Sequence, residues 1–120
     1  MEPRRNHSSV IIGKHMLVYG GINTKKNYLS DLKVLDLKEL KWEALEYKVE
    51  SEALANFMKD GLAKHCAFTY FNERESYPLY SKTYEEAEGI YVFGGCNQLG
   101  GENLMLKFCL KWRTPRLERV

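Results

Sequence analysis

Two runs of apolar, β-favouring residues end at a glycine pair: Met16-Leu17-Val18-Tyr19-Gly20-Gly21 and Ile90-Tyr91-Val92-Phe93-Gly94-Gly95. Short runs rich in Val, Tyr and Phe and closed by glycine predict buried strands. Glycine at the strand end permits positive φ and leaves room for a neighbouring side chain over the backbone. Similar surroundings turn the two runs into a repeat.

Around the first run, Val10-Ile11-Ile12 predicts a strand, Gly13-Lys14 a hairpin turn, and His15 to Tyr19 the second strand. A polar loop follows from Asn23 to Asn27, then strands at Leu32 to Leu37 and Trp42 to Leu45. Connections this short favour an antiparallel meander. In the second copy, Ala67 to Phe71 and Ile90 to Phe93 take the first two places, and Met105 to Lys111 aligns with Leu32 to Lys38. Lys111-Trp112 repeats Lys41-Trp42, and His65 stands where the first copy has His7. The copies differ by a polar insertion, Asn72 to Glu88, between strands one and two. Between the copies, Ser51 to Asp60 predicts a short helix with Ser51 as N-cap and Gly61 at its end. Leu54, Phe57, Met58 and Leu62 fall on one side of it, which favours a cover over the edge of the fold.

These residues resemble the kelch repeat: a strand ending in Gly-Gly, with a tyrosine and a tryptophan downstream. The first copy carries Gly20, Gly21, Tyr28 and Trp42; the second carries Gly94, Gly95 and Trp112, lacks the tyrosine, and has Cys109 in place of Asp36. The resemblance implies an all-β fold of two four-stranded antiparallel kelch-type blades of a partial β-propeller, with a short inserted helix near 51–60. Residues 1–50 form the first blade, 51–63 the helical connection, and 64–120 the second blade with its loop insertion at 72–88. Continuous apolar strands fit burial on both faces, and the tryptophans are expected where sheets meet. Two blades cannot close a ring, so apolar faces stay open and the chain reads as part of a propeller. Only eight residues follow Trp112, too few for a well-formed fourth strand, and Pro115-Arg116 echoes Pro3-Arg4 as if a third repeat began.

Composition narrows the function. The chain has 120 residues and a formal charge of +2, which predicts no strong nucleic-acid or membrane field. No stretch approaches a membrane span, and the N-terminus lacks the apolar segment of a signal peptide. Three cysteines, Cys66, Cys96 and Cys109, have no framework spacing and favour a reduced, cytoplasmic setting. Lys111, Arg113, Arg116 and Arg119 read as a solvated basic end.

By the resemblance, the chain is expected to be a non-catalytic protein-interaction module that binds a protein or peptide through its rim loops. Arg5, His7, Asn23, Lys25, Lys26, Asn97 and Gln98 are the contact candidates, although Arg5 and His7 are better read as ties to neighbouring backbone. The alternative is a scaffold piece that completes a propeller by association through its open faces. A galactose-oxidase-like enzyme is the weakest reading. His7, His15 and His65 lack close metal-ligand spacing, and His65 and Cys66 would point to opposite faces of a strand. No cofactor is expected.

Overall fold

The computed structural model describes residues 1–71, 87–97, 100–101, 104–110 and 114–120. Most of the 72–88 insertion, Gln98, Lys111, Trp112 and Arg113 lie outside the described residues.

A two-residue strand, β1 (Arg4–Arg5), precedes β2 (Ser8–Ile12) and β3 (His15–Tyr19). The short β4 (Ile22–Asn23) leads to β5 (Leu32–Asp36) and β6 (Lys41–Ala44). Strands β2, β3, β5 and β6 pair antiparallel in sequence order to form the first sheet. The chain then crosses through β7 (Lys48–Val49) and α1 (Glu52–Met58) to β8 (Cys66–Tyr70) and β9 (Gly89–Phe93). After β10 (Cys96–Asn97) and β11 (Gly100–Gly101) come β12 (Met105–Cys109) and β13 (Arg116–Arg119). The second sheet has five strands in the order β7-β13-β12-β9-β8, with β7 parallel to β13 and the other pairs antiparallel.

The two sheets repeat one another in register as well as in order. Ser8 faces Tyr19 and Tyr19 faces Leu32; Cys66 faces Phe93 and Phe93 faces Met105. Asp36 and Cys109 occupy the same place, opposite Lys41 and Arg116. The backbones also agree: Gly20 and Gly21 take φ of +67° and +100°, and Gly94 and Gly95 take +72° and +97°. Asn6 and Lys64, one residue before each paired histidine, both adopt left-handed conformations at φ 58° and 61°.

Register revises several expectations. A fourth strand does form in the second copy, because four residues suffice when β12 lies on one side and β7 on the other. Pro115 belongs to that strand's start, where its carbonyl accepts the Lys48 amide at 2.9 Å. Arg116 and Arg119 lie in that strand, with Arg119 exposed; the Arg119 amide donates to Glu50 Oε1 at 2.7 Å. Opposite Phe108 stands Leu117, while the equivalent Leu35 faces Trp42, so Leu117 holds the Trp42 position. Residues 48–49, assigned to the first blade by sequence, pair with the second sheet.

The sheets pack face to face. Ser8, Val10, Leu17, Tyr19 and Leu32 of the first meet Ala67, Ile90, Val92 and Phe108 of the second around a void of about 10 Å³. That is no more than one water's room, so the seam is close-packed. Phe108 is its hub, fully buried, with edge-on contacts to Tyr19 at 5.0 Å and Tyr47 at 5.1 Å between ring centres. Edge-to-face rings align positive edges with negative faces, which adds to the burial of apolar area.

The same alternation that fills the seam turns other side chains outward. Ile11, Met16, Leu35 and Trp42 form one cross-strand row on the far face of the first sheet, with Trp42 37% exposed. Trp42 thus lies with its partner Leu35 on the open outward face and not in the seam between these two sheets. On the far face of the second sheet, Phe68 stacks on Tyr91 at 5.3 Å and Phe93 is 44% exposed. Burial on both faces, expected for both glycine-terminated strands, fails at Phe93 because no described element covers that side.

Helix α1 follows the sequence signals. Ser51 Oγ accepts the Leu54 amide at 3.1 Å, Glu52 sits in the first turn, and Leu54 and Met58 are buried in the shared core with Leu62 and Leu104. The helix closes one rim of the two sheets.

Candidate functional site

The rim at the glycine-pair ends carries most of the residues singled out by sequence. Strand β1 pairs with β4, Arg4 facing Asn23 and Arg5 facing Ile22. The second copy repeats this as a bridge between Ala63 and Cys96. Backbone bonds join the copies: the Gly21 amide donates to Leu62 O at 2.8 Å and the Lys64 amide to Asn6 O at 2.9 Å. Tight packing explains the glycines: a Cβ on Gly20 would sit 2.4 Å from Leu62 O, and one on Gly61 2.5 Å from the Tyr28 backbone.

Three polar residues hold this rim together. Arg4, overlooked in favour of Arg5, clamps Asp31 with bonds of 2.6 and 2.9 Å and also donates to Gly20 O at 3.0 Å. Its side chain is 1% exposed. Asp31 shows two opposing influences: partial burial pushes its carboxyl up, but Arg4's hydrogen bond and charge outweigh it, leaving it below the ordinary value. Asn23 Oδ1 accepts the Lys25 amide at 3.0 Å and the Asn27 amide at 2.9 Å, shaping the loop from within. Asn23 and its counterpart Asn97, both expected as exposed contacts, are buried.

His65 plays a structural part. Its Nε2 lies 2.7 Å from Ser8 Oγ across the seam, and its ring meets Tyr19 edge-on at 5.5 Å. Burial pushes the imidazole down to about 4, so it is neutral near pH 7. The equivalent His7 is exposed. Cys66 is exposed beside buried His65, as strand alternation requires, and the two do not converge. Among the described residues, no three His, Cys, Asp or Glu side chains converge as a metal site. No helix among the described residues is long and apolar enough to cross a membrane.

Among the exposed side chains on this rim are four cations, Arg5, Lys25, Lys26 and Lys64, together with the carboxylate of Glu2, which accepts from Asn23 Nδ2 at 3.4 Å. The backbone pairings above fix their anchors, while their side chains extend into solvent without an ion pair to a described residue. A cleft of about 240 Å³ runs along α1, lined by Glu50, Ser51, Leu54, Phe57, Leu104 and Arg119. What the arrangement offers chemically is four exposed cations on one rim, suited to carboxylates. Arg5, Lys25 and Lys26 were among the expected contacts, and Lys64 joins them on this rim, one residue before His65 as Asn6 stands before His7.

The kelch motif family model matches residues 3–46. Acyl-CoA-binding domain-containing protein 4 of Arabidopsis thaliana is 33% identical over 93 residues, covering 75% of this chain and 14% of that protein. Acyl-CoA-binding domain-containing protein 6 of Oryza sativa subsp. japonica is 38% identical over 50 residues, 42% of this chain and 8% of that protein. The chain thus spans less than one sixth of the length of either relative.

Proposed function

We propose that this kelch-repeat chain is a non-catalytic module that binds a protein partner through the cationic rim, and that the segment it reads is acidic and extended. Kelch motifs generally serve protein–protein interaction, which supports the module class. The observation that carries the finer reading is the set Arg5, Lys25, Lys26 and Lys64, gathered on one rim and free of ion pairs to described residues. Cations held ready without internal partners favour carboxylates, and Arg5 adds a fork suited to bidentate contact. The relatives' names refer to an acyl-CoA-binding domain, and the proposal for this chain does not draw on it.

An immobilised peptide array tests the reading. Retained peptides should be enriched in Asp and Glu, and raised salt should weaken them. Lys25→Glu with Lys26→Glu should weaken binding by about tenfold, while Lys41→Glu, at the far end of the first sheet, should not. Retention without acidic enrichment, or indifference to the Lys25 and Lys26 changes, would refute it.

A further inference from the structure

The register makes the two open faces copies of the two faces already joined in the seam. Tyr19 and Phe93 are equivalent, as are Leu35 and Phe108. In the seam, Tyr19 of the first sheet meets Phe108 of the second. Their equivalents, Phe93 and Leu35, lie on the outward faces of opposite sheets, one facing each way from the molecule. The open face of the second sheet therefore has the form that receives a blade, and the open face of the first has the form that docks.

The lead-in to each sheet repeats the relation. His65 reaches back over the first sheet, its Cε1 3.0 Å from a Cβ built on Gly20, its Nε2 against Ser8 and its ring against Tyr19. The corresponding socket on the second sheet is Gly94, Cys66 and Phe93. It stands empty of described atoms: nothing lies within 4 Å of a Cβ on Gly94, and Cys66 and Phe93 are exposed. The side chain that would fill it, from a docked copy, is the equivalent His7, which is exposed.

We propose that a second copy of this chain docks its first sheet onto the open face of the second sheet, repeating the internal seam, with its His7 over Gly94 and against Phe93 and Cys66. The contact is head-to-tail, so it propagates until rotation closes a ring. With two sheets per copy and four to eight blades typical of propellers, closure takes two to four copies. Two lysines distinguish this contact from the internal one. Lys33 replaces the buried Leu106, and Lys107 replaces Val34. Both lie near carboxylates of their own sheet, Lys33 at 3.9 Å from Asp31 and Lys107 at 3.6 Å from Glu118, so docking buries no unpaired cation. Burying charge even in pairs is costly, so the assembly is weaker than the internal seam and depends on concentration.

Light scattering on a size-exclusion column tests this with the whole chain and two single-face variants. Wild type should give a discrete species at two, three or four times 14.0 kDa that dissociates on dilution. Phe93→Glu alone and Leu35→Glu alone should each run as monomers. Their equimolar mixture should form a dimer, since one intact docking face and one intact receiving face remain. His7→Ala should weaken wild-type assembly by about tenfold. Circular dichroism and cooperative urea unfolding check that each variant folds, and Ile11→Glu, at a position 61% exposed, serves as a second variant of the docking face. A wild-type monomer at every soluble concentration would overturn the proposal and leave the faces to other proteins. So would a mixture that stays monomeric, or either single variant assembling as wild type does.

Discussion

The two sheets share backbone, register and glycine geometry, yet they hold their strand ends with opposite chemistry. In the first, Arg4 and Asp31 pin the Gly20 turn through a two-pronged ion pair. The equivalent positions in the second are Leu62 and Leu104, both buried in the common core. Surroundings explain the difference. Leu62 and Leu104 lie among apolar residues that include Leu54 and Met58 of α1, whereas Asp31 keeps 35% of its side chain exposed and can stay charged at modest cost. One scaffold thus accepts an ion pair or an apolar pair, according to what covers it. The same comparison holds across the sheets: Phe108 is buried in the seam and its counterpart Leu35 looks outward.

That last contrast carries the largest expected effect. Phe108→Ala should cost about 3–5 kcal/mol, because a fully buried ring leaves a cavity at the meeting of both sheets. Leu35→Ala, at the equivalent place, should cost about 1 kcal/mol in urea denaturation at dilute protein. Equal costs would break the comparison.

Next in size is the exchange of one pinning chemistry for the other. Asp31→Leu should cost about 3 kcal/mol, since Arg4, 1% exposed, would lose its carboxylate. Arg4→Leu should cost less, about 1–2 kcal/mol, because Asp31 retains contact with water. The double variant, which writes the second sheet's residues into the first, should return to within about 1 kcal/mol of wild type. Additive losses in the cycle would show that the positions are not interchangeable.

A further contrast, visible only as a pH dependence, belongs to His65. The folded value for His65 is about 4, below the 6.5 of the free side chain, so its neutral form is the one that folding favours. Its contribution is complete above pH 6.5 and is lost as pH falls towards 4. Urea midpoints should decline over that window, and His65→Gln should flatten the decline. An unchanged slope in His65→Gln would contradict the assigned burial.

Much of this was legible in the chain. The glycine pairs, the strand order, the equivalence of His7 with His65 and of Asp36 with Cys109, and the Ser51 cap all follow from spacing and local preference. What escaped was set by tertiary partners. Strands β1 and β7 have two residues each, too few for any alternation to register. Arg4 finds Asp31 27 residues away, which no local pattern announces. Leu117 was obscured because the repeat was aligned on tryptophan, although Arg116-Leu117-Glu118-Arg119 alternates as an outer strand should. Asn23 and Asn97 each stand two residues after a glycine pair, a shared offset that favoured a structural role over partner contact.

The central claim is that the two sheets are one folded body joined through Tyr19 and Phe108. A double-mutant cycle of Tyr19→Leu and Phe108→Leu, read by urea denaturation, measures that joint directly. A coupling of about 0.5–1.5 kcal/mol within a single cooperative transition is the predicted result. Strict additivity, or two separate transitions, would mean that the sheets stand side by side without the shared seam.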